Sequence, residues 1–538
     1  MEESGAISRR LVLKSIAGLA VASEGILTAQ RAAATAAPAR FPQPAVTASR
    51  SASRSASGPA TRTVEQTLDV RFTDVDIPGY GPITTRTYNG AVPGPTLRLR
   101  AGDTLRLTHV NGLPPNPPFH HGDHNTPHHA NSFNLHTHGM HVSPSGDADN
   151  VLREFAPLTE EDAALDAPEP QYTTTICVPA DHPAGTYWYH PHLHGSTAEQ
   201  IVGGMAGVIV VEGDIDEVPE IEAADDVVVC INELKLRDGE VPAFTSGSWV
   251  TGVPSVFTVN GAVNPAIRLR RGEVQRWRLV AATAFTALRL QLSADERYLT
   301  MHQIAQDGIG FAEPVARTAV VLAMGNRADV LVRGDEPGRY ELRADGVDDP
   351  LMTVVVTEES VDPPMQLPAA LPPGRPFLDE GEITGPDREV VLHVDPEVFD
   401  GAFPNAYRML GSNATPPADP DGDLTRDTAY GRFDPEYVNH TLRLGDVERW
   451  TVRTDETVPS HGHPFHLHTN QFLVTHRNGE PLDPPVWHDT VGLAGGAPGD
   501  SVTFLVRYQD FTGIALAHCH QLHHEELGMM QIVEYVEP

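Results

Sequence analysis

Lysine is nearly missing from this chain. Lys14 and Lys235 are the only two in 538 residues, and the rest of the 38 basic side chains are arginine. Positive charge of either kind is outnumbered, because 72 acidic residues bring the formal net charge to -34. A chain so acidic repels polyanions, which excludes nucleic acid and anionic membrane surfaces as partners and leaves an acidic, soluble surface. Cysteine is scarce as well: Cys177, Cys230 and Cys519 are too few for a disulfide framework. Cys177 and Cys230 either pair or stay as buried free thiols, while Cys519 has a different setting. Helical periodicity is scarce too, and the 10 methionines form no methionine-rich run.

The N-terminus reads as an address. Ser8-Arg9-Arg10-Leu11-Val12-Leu13-Lys14 resembles a twin-arginine export signal. The apolar stretch from Ser15 to about Thr28 is interrupted by Glu24 and is too short and weak for a permanent anchor. The expected route is the twin-arginine translocase, to the periplasm or the cell exterior, with no membrane anchor after processing. An Ala-, Ser-, Arg- and Pro-rich spacer continues to residue 63.

The remainder consists of short alternating runs separated by Gly, Pro and Asp, such as Thr96-Leu97-Arg98-Leu99-Arg100, which favours β-sandwiches. One pattern occurs three times. Pro95 to Arg100 leads through Gly102-Asp103 to Leu105-Arg106-Leu107. Pro265 to Arg270 leads through Gly272-Glu273 to Arg276-Trp277-Arg278-Leu279. Thr441 to Leu444 leads through Gly445-Asp446 to Arg449-Trp450-Thr451-Val452. Each copy reads as strand, Gly-acid turn, strand, spaced by one sandwich. The expected boundaries are a signal and spacer at 1–63, domains at 64–214 and 215–359, a Pro-rich linker at 360–387, and a third domain at 388–538.

Histidine, at 26, is the abundant functional residue, and much of it is clustered. The clusters are His136-Thr137-His138, His190-Pro191-His192, His466-Leu467-His468 with His463 just before it, and His518-Cys519-His520. In a strand, residues i and i+2 share a face and i+1 takes the other. Each His-x-His pair thus offers two imidazoles to one place, and four pairs can surround one multi-metal site. Cys519 points away from its two neighbours, so one strand can join a second metal to that site. Cys519, His524 and Met529, with one distant histidine, provide two imidazoles, a thiolate and a weak axial thioether, the ligand set of blue-copper centres.

These four segments resemble the copper-binding segments of the multicopper oxidases, a family that includes laccases, bilirubin oxidases and bacterial cuprous oxidases. Tyr88-Asn89-Gly90 with Pro93-Gly94-Pro95 is similar to the family's first-domain signature. The resemblance covers about residues 64–538. It implies an all-β fold of three consecutive cupredoxin-like Greek-key β-sandwich domains. It implies four coppers per chain: one type 1, one type 2 and two type 3. Type 1 copper is implied at His463, Cys519 and His524 with Met529 axial, and type 2 at His136 and His466. The type 3 pair is implied at His138, His190, His192, His468, His518 and His520.

The implied activity is one-electron oxidation of a small reducing substrate at type 1 copper, entering by the exposed edge of His463, coupled to reduction of O2 to water. The protein then fixes geometry and potential while copper supplies the redox chemistry. Proton donors are needed near the cluster. Asp149, with Asp147 as the alternative, and Glu525 match acidic positions of the family. The ligand count is full without His120, His121, His124, His128, His129, His141, His194, His461 and His523, which read as loop residues or supports for the ligands, with collection or relay of copper as the alternative. Soft Cu(I) prefers thioethers, so the absence of a methionine-rich run favours a laccase-like phenol or aromatic amine over a cuprous oxidase of copper tolerance. An acidic, Pro-rich stretch from Pro404 to Pro435 is placed as a roof over the type 1 site. A copper-binding protein without turnover, or a two-domain copper nitrite reductase, fits the paired histidines less well. The expected state is a monomer.

Overall fold

A computed structural model describes residues 41–48, 62–119, 124–165, 167–244, 252–295, 297–394, 407–411, 431–454, 462–493 and 499–538. The export signal and nearly all of its spacer, together with His120, His121, His461 and most of the stretch from Pro404 to Pro435, lie outside these residues. Six β-sheets are present, and they pack as three sandwiches. The described helices are short, the longest being Thr197–Val202. No described helix is long and apolar enough to cross a membrane.

The repeated pattern has the same topological job in each sandwich. Its first strand pairs in parallel with the last strand of its own sandwich: Thr96–Arg100 with Gly207–Glu212, Ala266–Arg271 with Met352–Ser360, and Val438–Arg443 with Met530–Val536. Its second strand crosses to the other sheet and again pairs in parallel: Thr104–Asn111 with Thr63–Ile77, Val274–Ala282 with Asp225–Lys235, and Val447–Thr454 with Asp387–Val394. The crossing is made at glycines with left-handed backbone, Gly102, Gly272 and Gly445, at φ 84°, 80° and 90°. A side chain there would be strained, and the following acid closes the turn. Asp103 Oδ2 accepts from the Arg100 amide at 2.9 Å and Glu273 Oε2 from the Arg270 amide at 3.0 Å.

Each sandwich has its own core drawn from both sheets. The first includes Val64, Leu68, Leu97, Leu105 and Tyr187, the second Trp277, Leu290, Val330 and Val354, and the third Trp450, Phe465, Phe504 and Val533, all fully buried. The rule that apolar side chains alternate inward along a strand accounts for this. Cys177 and Cys230 are both free; Cys177 is exposed and only Cys230 is buried, so neither a disulfide nor a pair of buried thiols forms.

Candidate metal centre

The edge strand His136–His138 of the first sandwich and one face of the strands His463–Leu467 and Gly513–Cys519 of the third carry histidines that meet between the two sandwiches. In the first, His136–His138 runs antiparallel to Gly185–His190 with His136 opposite His190. In the third, His463–Leu467 runs antiparallel to Gly513–Cys519, with His466 opposite His518 and Phe465 opposite Cys519. Period-2 alternation then separates the functions. His466 and His518 share one face, toward the first sandwich. His463 and Cys519 share the other, inside the core of the third. His192, His468 and His520 lie just past the ends of their strands, so strict strand geometry holds only for the start of each pair.

Eight imidazoles face a common interior. Nε2 of His518 is 3.1 Å from Nε2 of His192 and 3.2 Å from Nε2 of His468. The ring centroid of His138 is 4.9 Å from that of His520 and 5.7 Å from that of His190. His136 and His466 bring Nε2 to Nε2 at 3.4 Å. His192, His468 and His518 form one close group, His136, His138 and His190 a second, and His136, His466 and His468 a third, so the groups share rings and make one cluster. Two cross-sandwich stacks lock the rings, His138 on His466 at 3.8 Å and His136 on His468 at 3.9 Å.

Protonation and hydrogen bonding suit this interior for cations. Burial and neighbouring imidazoles hold His138, His190, His466, His468 and His520 well below the usual histidine range, so these rings are neutral. Several rings spend one nitrogen on an outer acceptor. His136 Nδ1 donates to Asp149 at 3.1 Å, His466 Nδ1 to the Asp489 carbonyl at 2.8 Å, and His190 Nδ1 to the Pro191 carbonyl at 2.8 Å. The other nitrogen keeps a bare lone pair. Nε2 of His190, Nδ1 of His138 and both nitrogens of His520 are buried with no hydrogen-bond partner among the described residues. Buried lone pairs facing one another are costly unless a cation lies between them, so the residues present fit a cluster of metal ions.

A second centre lies on the core face. Cys519 Sγ is 3.5 Å from His463 Nδ1 and 3.7 Å from His524 Nδ1, and the two nitrogens are 3.1 Å apart. Met529 is fully buried in the same cluster, and its carbonyl accepts from the Cys519 amide at 3.1 Å. Two imidazoles, a thiolate and a nearby thioether fit copper. The edge of His463 is not exposed. The strand Thr490–Leu493 pairs beside it, with Leu493 opposite His463, and the residue is 0% exposed. His524 is buried as well, and the buried ring of Tyr407 stacks on it at 4.1 Å.

The two carboxylates differ in placement. Asp149 is buried and accepts from His136 Nδ1 and the Thr137 hydroxyl, while Asp147 is exposed. Glu525 is buried with Oε2 3.1 Å from His518 Nδ1 and Oε1 3.7 Å from His192 Nδ1. Burial pushes its carboxyl up, but His518 and His192 outweigh burial and hold it at about 2. The sequence reading missed a third acid. Asp489 is fully buried, with Oδ1 3.1 Å from His138 Nε2, and receives both terminal nitrogens of Arg327 at 2.8 and 2.5 Å. Arg327 Nε also donates to the Thr186 carbonyl of the first sandwich at 3.2 Å. The middle sandwich therefore contributes no ligand but pins its two neighbours. Its Gly325, at φ 87°, passes so close that a β-carbon would lie 2.9 Å from His138 and 3.1 Å from His520. Among the remaining histidines, His141 bonds the Thr469 carbonyl at 2.8 Å and His523 stacks on Phe285 at 5.1 Å, both as supports.

Comparison with known proteins agrees with this geometry. Two family models described as multicopper oxidase match residues 69–215 and 409–537. The chain is similar to multicopper oxidase mco of Staphylococcus epidermidis, 22% identical over 452 residues and 83% of each chain. It is also similar to cell division protein FtsP of Salmonella typhimurium, 27% identical over 423 residues and 76% of each. In fold it resembles the crystal structure of a laccase from Pediococcus acidilactici, with TM-score 0.70, 23% identity, and 93% and 94% of the two chains covered. A multicopper oxidase from Campylobacter jejuni described as a metallo-oxidase superposes with TM-score 0.66 at 22% identity over 93% and 96%.

Proposed function

The chain belongs to the multicopper oxidase family, and from that premise we propose that it couples one-electron oxidation of a small phenol or aromatic amine, as laccases do, to the four-electron reduction of O2 to two waters. The observation that carries this is the two-sided strand Gly513–Cys519, with Cys519 in a thiolate–imidazole centre and His518 and His520 among the eight imidazoles. Copper, when bound, supplies the one-electron steps and the site of oxygen reduction. His463, Cys519 and His524, with Met529 in the same buried cluster, would hold type 1 copper, His136 and His466 would hold type 2, and His138, His190, His192, His468, His518 and His520 would hold the type 3 pair.

The chain's own residues then do the following. The buried rings of Tyr407 and Phe285 pack on His524 and His523 and fix the aromatic surroundings of the Cys519 centre. The peptide link from Cys519 to His518 and His520 is a short covalent path between centres. Asp149 orients His136, and it and the ionised Glu525 beside His518 and His192 act as relays that accept protons from solvent and pass them inward. The complete imidazole set disfavours a protein that has kept the fold without turnover. Export by the twin-arginine route to the periplasm or exterior, and a monomeric state, complete the proposal.

An absorption spectrum of the copper-loaded protein tests the oxidase. A blue thiolate band and a near-ultraviolet shoulder are expected, and absence of both would sink it. Oxygen uptake with a phenol and with Cu(I) tests the substrate: uptake with Cu(I) alone would replace the laccase-like reading by the cuprous one.

A further inference from the structure

Glu525 and Glu526 are adjacent in the short helix Leu522–Glu526, and both are buried. Adjacent helical side chains do not share a face. Glu525 turns to the rings of His518 and His192. Glu526 turns to the backbone of the first sandwich. Its Oε1 accepts from the Gly195 amide, and its Oε2 accepts from the Ala198 amide at 2.9 Å. Gly195 and Glu526 stand 331 positions apart in the chain.

The two amides depend on this acceptor. Both residues are buried, so water does not replace it. Ala198 lies in the first turn of the helix Thr197–Val202, where an amide has no acceptor within the helix. Ser196, ahead of that helix, supplies none, because its hydroxyl donates to the Ser132 and Leu193 carbonyls at 3.0 and 3.2 Å. A carboxyl group from the third sandwich thus does the work of a local cap. Around it, Ala198, Ile201 and Val202 pack on Leu522 and on Phe285 of the middle sandwich. Such apolar contact is not directional. The two hydrogen bonds to Glu526 set the register.

Both ends of this contact lie close to proposed ligands in the chain. Gly195 comes three positions after His192, and Glu526 two positions after His524. His192 belongs to the first sandwich, while its close partners His468 and His518 belong to the third. That group therefore spans the interface. His463, Cys519 and His524 all belong to the third sandwich, so their centre does not.

We propose that Glu526 is a positioning residue for the type 3 pair: it clamps the segment from His192 to Ala198 onto the loop Leu522–Glu526 and so holds His192 against His518. The assignment rests on the copper reading above. Glu526 is no ligand itself and acts only through the backbone that it grips.

The test compares the copper-loaded parent with Glu526→Gln, which keeps the size of the side chain but puts an N–H where one acceptor stood. The parent spectrum comes first, and absence of its blue band and near-ultraviolet shoulder is a failure of the copper reading rather than of the clamp. Glu526→Gln is expected to keep the blue band and lose much of the shoulder, with the type 3 coppers becoming visible by electron paramagnetic resonance. Its cluster is expected to hold copper about tenfold more weakly against a chelator. Glu526→Asp keeps the charge on a shorter arm, and its ratio of shoulder to blue band is expected to fall between those of the parent and the Gln variant. If Glu526→Gln yields no folded protein, a lowered ratio in Glu526→Asp carries the test. An unchanged ratio overturns the clamp. Equal loss of both bands, in step with the melting temperature, also overturns it, because that marks a residue that merely keeps the loop folded.

Discussion

Asp489 Oδ1 and His138 Nε2 meet at 3.1 Å although 351 residues separate them in the chain. The same carboxylate closes a two-point ion pair with Arg327 of the middle sandwich. One buried acid thus joins all three sandwiches beside the eight imidazoles. Asp489→Ala leaves the buried Arg327 with only the more distant Asp307, whose Oδ1 lies 3.6 Å from its Nη1, and losing the closer partner of a buried pair costs about 3 kcal/mol. Denaturant unfolding of the variant measures this loss, and metal analysis is expected to find less than a full copper complement.

Gly325→Ala tests how closely the middle sandwich approaches the cluster. A left-handed backbone and a contact of 2.9 Å to His138 both oppose the methyl group. The backbone part alone costs roughly 1–2 kcal/mol. His138 and His520 shift, so the near-ultraviolet shoulder weakens while the blue band, which depends on Cys519, persists. Loss of the blue band instead would mean that the two centres fold as one.

Cys519→Ser removes the thiolate, and both the blue colour and the turnover disappear. Met529→Leu keeps the buried apolar volume and removes the thioether. Its blue band is retained and its type 1 potential rises, because the axial sulfur stabilises the oxidised ion. Redox titration monitored at the blue band gives the shift.

Asp149→Asn keeps an oxygen near His136 Nδ1 but removes the charge. A change in such an outer partner of a metal-ligating histidine lowers metal affinity or activity about 10–100-fold. Turnover with a fixed donor, and copper retention against a chelator, are the measurements.

Acid stability is set partly by histidines outside the site. Burial lowers His109 to about 3 and His440 to about 4, against 6.5 for a free ring. The folded chain therefore binds fewer protons than the unfolded chain below pH 6.5. Their contribution is complete above that value and falls away as the pH drops toward 4 and then 3. At pH 5 the loss is about 2 kcal/mol for each ring, at about 1.4 kcal/mol per unit. His440→Gln, which can still meet Arg388 and Gln531, is expected to flatten stability between pH 7 and 5 by about that amount.

The clustering of the histidines was legible because its information is local. His466 follows His463 by three positions along one strand, and that odd spacing sends them to opposite faces. The Gly-acid turns were legible for the same reason, as each closes through a residue three positions away. Asp489, Arg327 and Gly325 were not, because their roles exist only once three sandwiches are packed together. The choice between Asp147 and Asp149 also waited for the fold, since both lie in one turn and only Asp149 reaches His136. The burial of His463 followed from the strand Thr490–Leu493 laid beside it, a pairing that no spacing within His463–His468 encodes.

The division of the imidazoles between the first and third sandwiches also sets a clock on biosynthesis. His136 and His466 touch in the finished protein but are 330 residues apart. At about 5–20 residues per second, the ribosome makes the second tens of seconds after the first. Through that interval the nascent first sandwich carries His136, His138, His190 and His192 with none of their opposite numbers. A divalent ion captured then sits in half a site, held by too few ligands to be selected for identity. Correct metallation is therefore an event of the released chain, and its fidelity depends on how quickly the last sandwich docks.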